Sequence, residues 1–162
     1  MRAPGAAGGE EERELEKTLK GYKSEVAPDM KMTLTWDKDL IFAARTSRGY
    51  VIDYDARVEW GCMPTESLLA SVAACLAIDV VSFVQKMRGE ITEFSMDVLG
   101  KRNPTPPQYF TRVELLIKVK GRNLDDRKMQ RAISLSKEKY CSVYHTLRKD
   151  LEHEVRYEIL HG

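Results

Sequence analysis

The chain has 162 residues, 43% of them hydrophobic and 31% charged, with a formal net charge of +1. That length suits one substantial core and is short for two independent domains, and the balanced charge gives no electrostatic reason to expect nucleic acid as a partner. The longest apolar run, LLASVAACLAIDVVSFV, is interrupted by Asp79 and flanked by Glu66 and Lys86, so it reads as a buried helix and not as a membrane span.

Residues 1–26 start as a Gly/Ala/Pro tail and become a charged segment with a weak helical rhythm at Leu15 and Leu19. This composition predicts a flexible segment or a loosely docked helix ahead of a single domain over 27–162. It has no hydrophobic signal core, so the cytoplasm is the expected compartment. MKMTLTW, LIFAART and YVIDYDARV follow as three extended segments separated by polar turns, the pattern of a small antiparallel meander. MPTESLLASVAACLAIDVVSFVQKMRG is a long helix: Pro64 suits its first turn, Glu66 places a negative charge there, and Gly89 supplies a stop. Its near-continuous apolar content predicts burial on most sides, the state of a helix at the centre of a molecule or of an oligomer. ITEFSMDVLGKR and FTRVELLIKVKG alternate with a period of two around NPTPPQ and predict a hairpin. A helix over about 124–139, a short helical VYHTLRK and a final strand EHEVRYEIL complete an α+β order.

The long helix carries chemistry as well as apolar bulk. At about 100° per residue, Ser71, Cys75, Asp79 and Ser82 fall within an arc of roughly 120°, a polar stripe with Cys75 near its middle. Such a stripe either lines a cleft and holds a thiol at the edge of solvent, or satisfies buried partners. Cys141 precedes a short helical segment, where backbone N–H groups favour a thiolate. Cys75 and Cys141 do not form a CxxC motif, and their spacing alone does not make them meet. Cys62 reads as a loop thiol. An odd number of cysteines argues against a structural disulfide framework and leaves a cycling pair open.

Other chemistries find little footing. His145, His153 and His161 recur every eight residues but fall in a helix, a strand and the terminus, so no tight His/Cys/Asp metal cluster is expected. The chain has no GxGxxG, no Walker sequence and no GxSxG elbow.

GCMPTESLLASVAACLAIDVVSFVQKMRG and SLSKEKYCSVYHTL, joined by a β-rich segment of matching order, resemble the OsmC/Ohr family, and most closely its OsmC-like branch. The resemblance covers residues 30–160. It implies an α+β fold in which two subunits intertwine as a homodimer, with long helices at the centre and two sites near the interface. It further implies that Cys75 is the peroxidatic cysteine and Cys141 the resolving one, in a thiol-dependent peroxidase acting on organic hydroperoxides. An external dithiol, such as a lipoyl group carried on a protein, would reset the pair, with no bound cofactor or metal. The alternative within the same scaffold is a noncatalytic stress protein that binds a small apolar ligand.

The resemblance departs at one charged position. The peroxidase branch places a glutamate directly after the motif proline and pairs it with an arginine; here Thr65 follows Pro64 and Glu66 comes one residue later. Nine residues, about 900°, turn Glu66 to the face opposite Cys75, which makes it first a group of the helix N-terminus. Arg45 and Arg48, and then Arg57, are the candidates for the guanidinium, with Arg45 favoured because an extended segment holds it. Glu138 reads as a surface residue or as an orienting group near the second motif, and Tyr140 and Tyr144 as core or as an apolar wall beside Cys141.

Overall fold

The computed structural model describes residues 6–160, with backbone alone for 6–8 and 11, so His161 lies outside the described residues. The elements are α1 (Ala6–Leu19), β1 (Met32–Lys38), β2 (Ile41–Thr46), β3 (Val51–Asp55), α2 (Pro64–Lys86), β4 (Glu90–Arg102), β5 (Phe110–Arg122), α3 (Asp126–Leu135), α4 (Ser142–Thr146) and β6 (Glu152–Leu160). A π-helical turn, Ser136–Tyr140, connects α3 to α4. The α+β class is as expected. The chain separates into two compact units, Val26–Ala70 and the segments on either side of it.

In the first unit β1, β2 and β3 form the expected antiparallel meander, with Arg45 opposite Thr33 on one side and Val51 on the other. All seven positions of β1 are exposed, Leu34 and Trp36 among them. The third strand ends at Asp55, three residues before the expected Val58. The Asp55 carboxylate accepts hydrogen bonds from the N–H groups of Arg57, Glu59 and Trp60 and wraps the chain into a turn. Those N–H groups, Arg57 first, hold Asp55 below the usual carboxylate range. The loop then returns to β3 so closely that a Cβ on Gly61 would stand 2.5 Å from the Asp53 carbonyl oxygen. Glycine is required there because backbone meets backbone.

The long helix α2 starts as its sequence predicts, with Pro64 in first position. Its stop differs in detail: Arg88 takes the left-handed conformation (φ 61) and the Gly89 N–H donates to the Val84 carbonyl at 2.9 Å. Within the single chain the burial is one-sided. Val72, Leu76, Asp79, Val80, Phe83 and Val84 are buried, while Leu68 and Ile78 stay 41% and 65% exposed. A helix apolar all round is thus covered within this chain along one face.

The second unit holds the sheet β4–β5–β6. β4 and β5 are the expected hairpin, and β6 runs parallel to β5, with Glu152 opposite Arg112 and Ile159 opposite Val119. A parallel neighbour demands a crossover, and residues 123–151 supply it with α3, the π turn and α4. Alternate β5 residues Val113, Leu115, Ile117 and Val119 are buried with Met129, Ala132 and Ile133 of α3. The other β5 face carries Arg112, in ion pairs with Glu114, Glu152 and Glu154. α3 is capped by Asp125, which accepts from the Lys128 N–H at 2.8 Å. The single helix expected over 124–139 instead changes to π geometry after Leu135. Within 1–26, Ala6–Leu19 form α1, with Leu15 fully buried, and residues 1–5 lie outside the described residues.

Candidate active site

The polar stripe of α2 lies in the second unit and is graded: Ser71 exposed, Cys75 and Ser82 half-buried, Asp79 fully buried. A buried carboxylate needs donors and a counter-charge, and three side chains from outside the helix provide them. The Tyr22 hydroxyl donates to Asp79 Oδ1 at 2.6 Å, the Lys23 ammonium to the same oxygen at 2.9 Å, and the Ser136 hydroxyl to Oδ2 at 2.8 Å. Lys23 also donates to the Tyr140 carbonyl at 2.8 Å. The rings of Tyr22, Phe83 and Tyr140 meet pairwise with centroids 5.0–5.3 Å apart. Asp79 therefore ties the segment after α1 and the π turn to the middle of α2.

The π turn aims the second thiol. Its wider coil lets the Cys141 N–H reach the Ser136 carbonyl five residues back, at 2.8 Å. Cys141 then caps α4, its sulfur accepting from the Tyr144 N–H at 3.4 Å. The sulfurs of Cys75 and Cys141 and a carboxylate oxygen of Asp79 all lie within 4.8 Å of one another. Both cysteines are free thiols, Cys75 half-buried and Cys141 buried. Burial, then the neighbouring Cys75 sulfur, push the Cys141 thiol up to about 11, and the single N–H from Tyr144 does not offset this. The thiolate-favouring helix terminus expected for Cys141 is present but outweighed.

Cys75, Asp79 and Cys141 also form a tight cluster of the kind that residue spacing did not predict. It escaped notice because its members come from two segments more than sixty residues apart. The Lys23 ammonium already occupies the cationic position against Asp79, which makes the group a thiol and carboxylate site better than a cradle for a metal ion.

The remaining candidates are placed as follows. Arg45 is exposed on β2 with its guanidinium 3.4 Å from the Gly49 carbonyl, and Arg48 is exposed in the following turn. Arg57 is exposed in the loop after β3. Glu66 accepts from the Met63 N–H at 2.8 Å, the helix N-terminal role its position implied. Glu138 is exposed, Tyr140 packs on Tyr22 and Phe83, and Tyr144 stacks on His153 with centroids 4.5 Å apart. Cys62 sits in the loop that returns to β3. Sequence reasoning missed Tyr22, Lys23 and Ser136. The available signal was Asp79 itself, whose burial in an apolar helix requires a cation but does not say which one.

An α+β unit holding two unbridged thiols against a buried carboxylate defines a dithiol protein. Its family follows from comparison: the model described as OsmC-like protein matches residues 57–156, and the chain belongs to the OsmC/Ohr family. It is 33% identical to Protein YhfA of Escherichia coli (strain K12) over 132 residues, 81% of this chain and 98% of the relative. Its structure is similar to that of a hypothetical protein from Aquifex aeolicus VF5, with 25% identity and TM-score 0.76, over 83% of this chain and 98% of the other. The organic hydroperoxide resistance protein OhrB of Bacillus subtilis shares the fold, with 17% identity and TM-score 0.56, over 81% and 98% of the two chains.

Proposed function

We propose that this protein is a thiol-dependent peroxidase that reduces organic hydroperoxides through a cycle between Cys75 and Cys141. The observation that carries the reading is the pair itself, two free sulfurs within 4.8 Å inside a family fold shared with a hydroperoxide resistance protein. Cys75 is the more accessible sulfur and takes the first step. Its thiolate attacks the distal peroxide oxygen, the O–O bond breaks, the alkoxide leaves as alcohol after taking a proton, and the sulfur becomes sulfenic acid. Cys141, buried and held protonated near neutral pH, is protected from direct oxidation. It then condenses with the sulfenic acid, expelling water, and side-chain movement closes the sulfurs to the about 2.05 Å of a disulfide. An external dithiol, of the lipoyl type, returns both thiols by exchange and leaves oxidised.

The working form in this reading is a homodimer in the cytoplasm, where reducing conditions keep the cysteines free. The uncovered apolar residues of β1 and of the outer α2 face support the dimer.

The test is mass spectrometry of the protein treated with stoichiometric cumene hydroperoxide. Loss of two hydrogens mapped to a Cys75–Cys141 link is expected, with sulfenic acid trapped at Cys75 in Cys141→Ser and peroxide consumption abolished in Cys75→Ser. Oxidation confined to Cys62, or turnover that survives in Cys75→Ser, would sink the assignment. The same assay on Arg45→Ala and Arg48→Ala assigns, or removes, the guanidinium role that the resemblance gives them.

A further inference from the structure

We infer that Lys23, delivered by the segment that follows α1, is a positioning residue for the sulfur pair: by neutralising Asp79 and clamping the backbone beside Cys141 it lowers the electrostatic cost of forming a thiolate beside that carboxylate. The inference rests on the reading of Cys75 and Cys141 as a redox pair.

A carboxylate within 4.8 Å of both sulfurs opposes the formation of any thiolate between them. This cost is general for an acidic group beside a reacting thiol, and Asp79 is fully buried, where solvent does not screen it. The ammonium of Lys23, 2.9 Å from Asp79 Oδ1, cancels that field at its source. The hydroxyls of Tyr22 and Ser136 complete the carboxylate's hydrogen bonds but bring no charge. The same ammonium holds the carbonyl of Tyr140, the residue immediately before Cys141.

The remaining charged and titratable groups leave the task to Lys23. Lys86 lies over the Tyr22 ring at 5.4 Å, Lys139 over the Tyr140 ring at 5.3 Å and Lys137 over the Tyr144 ring at 5.9 Å. Each of these cations is placed against an aromatic face; Lys23 also lies 5.5 Å from the Tyr22 ring centroid, and its ammonium in addition meets the carboxylate at 2.9 Å. The Tyr22 phenol is driven well above its ordinary value by burial and by Asp79, so it stays a neutral donor.

Two independent observations mark Lys23. Its backbone is left-handed, with φ of 50, a conformation that residues with a Cβ rarely adopt and that persists where the surroundings enforce it. Lys23 also lies outside residues 57–156, the region matched by the family model, whereas Cys75, Asp79, Ser136 and Cys141 all lie inside it.

The experiment is the rate of iodoacetamide alkylation at each cysteine, mapped by peptide mass across a pH series. The proteins are wild type, Lys23→Met, Lys23→Arg, Asp79→Asn and the Lys23→Met/Asp79→Asn double variant. No peroxide is involved, so failure of the peroxidase reading and failure of this inference are distinguishable. In Lys23→Met the alkylation midpoint of the pair moves up by about one pH unit, and alkylation near neutral pH slows roughly tenfold. In Asp79→Asn the midpoint moves down, the double variant returns toward wild type, and Lys23→Arg stays within about threefold of it. A purely structural Lys23 would move Lys23→Met and Asp79→Asn in the same direction, or move neither midpoint, and either result overturns the inference. If Lys23→Met loses its fold by circular dichroism, Asp79→Asn and Lys23→Arg still decide: an unmoved midpoint in the former, or an upward one in the latter, overturns it.

Discussion

His153 shows how a single side chain couples this fold to pH. Its ring stacks on Tyr144, its Nε2 is buried with no hydrogen-bond partner among the described residues, and it lies within the field of Lys137. Burial first, and then Lys137, lower its proton affinity from the ordinary value of 6.5. Above 6.5 the folded and unfolded chains both hold a neutral imidazole, and stability is complete. As pH falls through 6.5 the unfolded chain takes the proton first, so stability declines until the lowered folded value is passed. Urea denaturation of wild type is therefore expected to show a lower midpoint at about pH 5.5 than at about pH 7.5, with the difference reduced in His153→Phe. An unchanged difference in the variant would return the pH dependence to the carboxylates.

At the scale of elements, the start of α2 is the joint to test. Glu66 fills half of a capping box by accepting the Met63 N–H, and its charge complements the positive end of a helix of 23 residues. Replacing it with alanine is expected to cost about 0.5–1 kcal/mol in chemical denaturation, and with glutamine less, since the amide oxygen still reaches the N–H. A cost for glutamine equal to that for alanine would show that the charge, and not the hydrogen bond, matters. The π turn has the complementary task at the other thiol. Its extra residue per turn brings Cys141 round to the Ser136 carbonyl while Ser136 itself holds Asp79. One short segment thus fixes both the carboxylate and the sulfur it faces.

At the scale of the whole molecule, the proposed dimer is open to a direct test. Trp36 is 62% exposed on β1 and Ile78 65% exposed on α2, and the proposed assembly would cover such residues. Sedimentation equilibrium is expected to give twice the chain mass, and Trp36→Glu to shift the population toward the single chain. A wild-type monomer at all concentrations would remove the dimer from the proposed function. The order of strands and helices was legible because alternation in FTRVELLIKVKG and the capping residues of α2 are local signals. The parallel pairing of β6, the switch to π geometry after Leu135 and the meeting of Tyr22 and Lys23 with Asp79 were not, because each depends on partners distant in the chain. The same applies to the thiols: the resemblance named both cysteines, but only the fold brings them together. That has a consequence for synthesis. Cys141 lies in the crossover between β5 and β6, so its position is set only when the last strand pairs, and loop-closure entropy opposes its earlier meeting with Cys75. A nascent chain carries two separated thiols, and the close pair comes into being only with the folded unit.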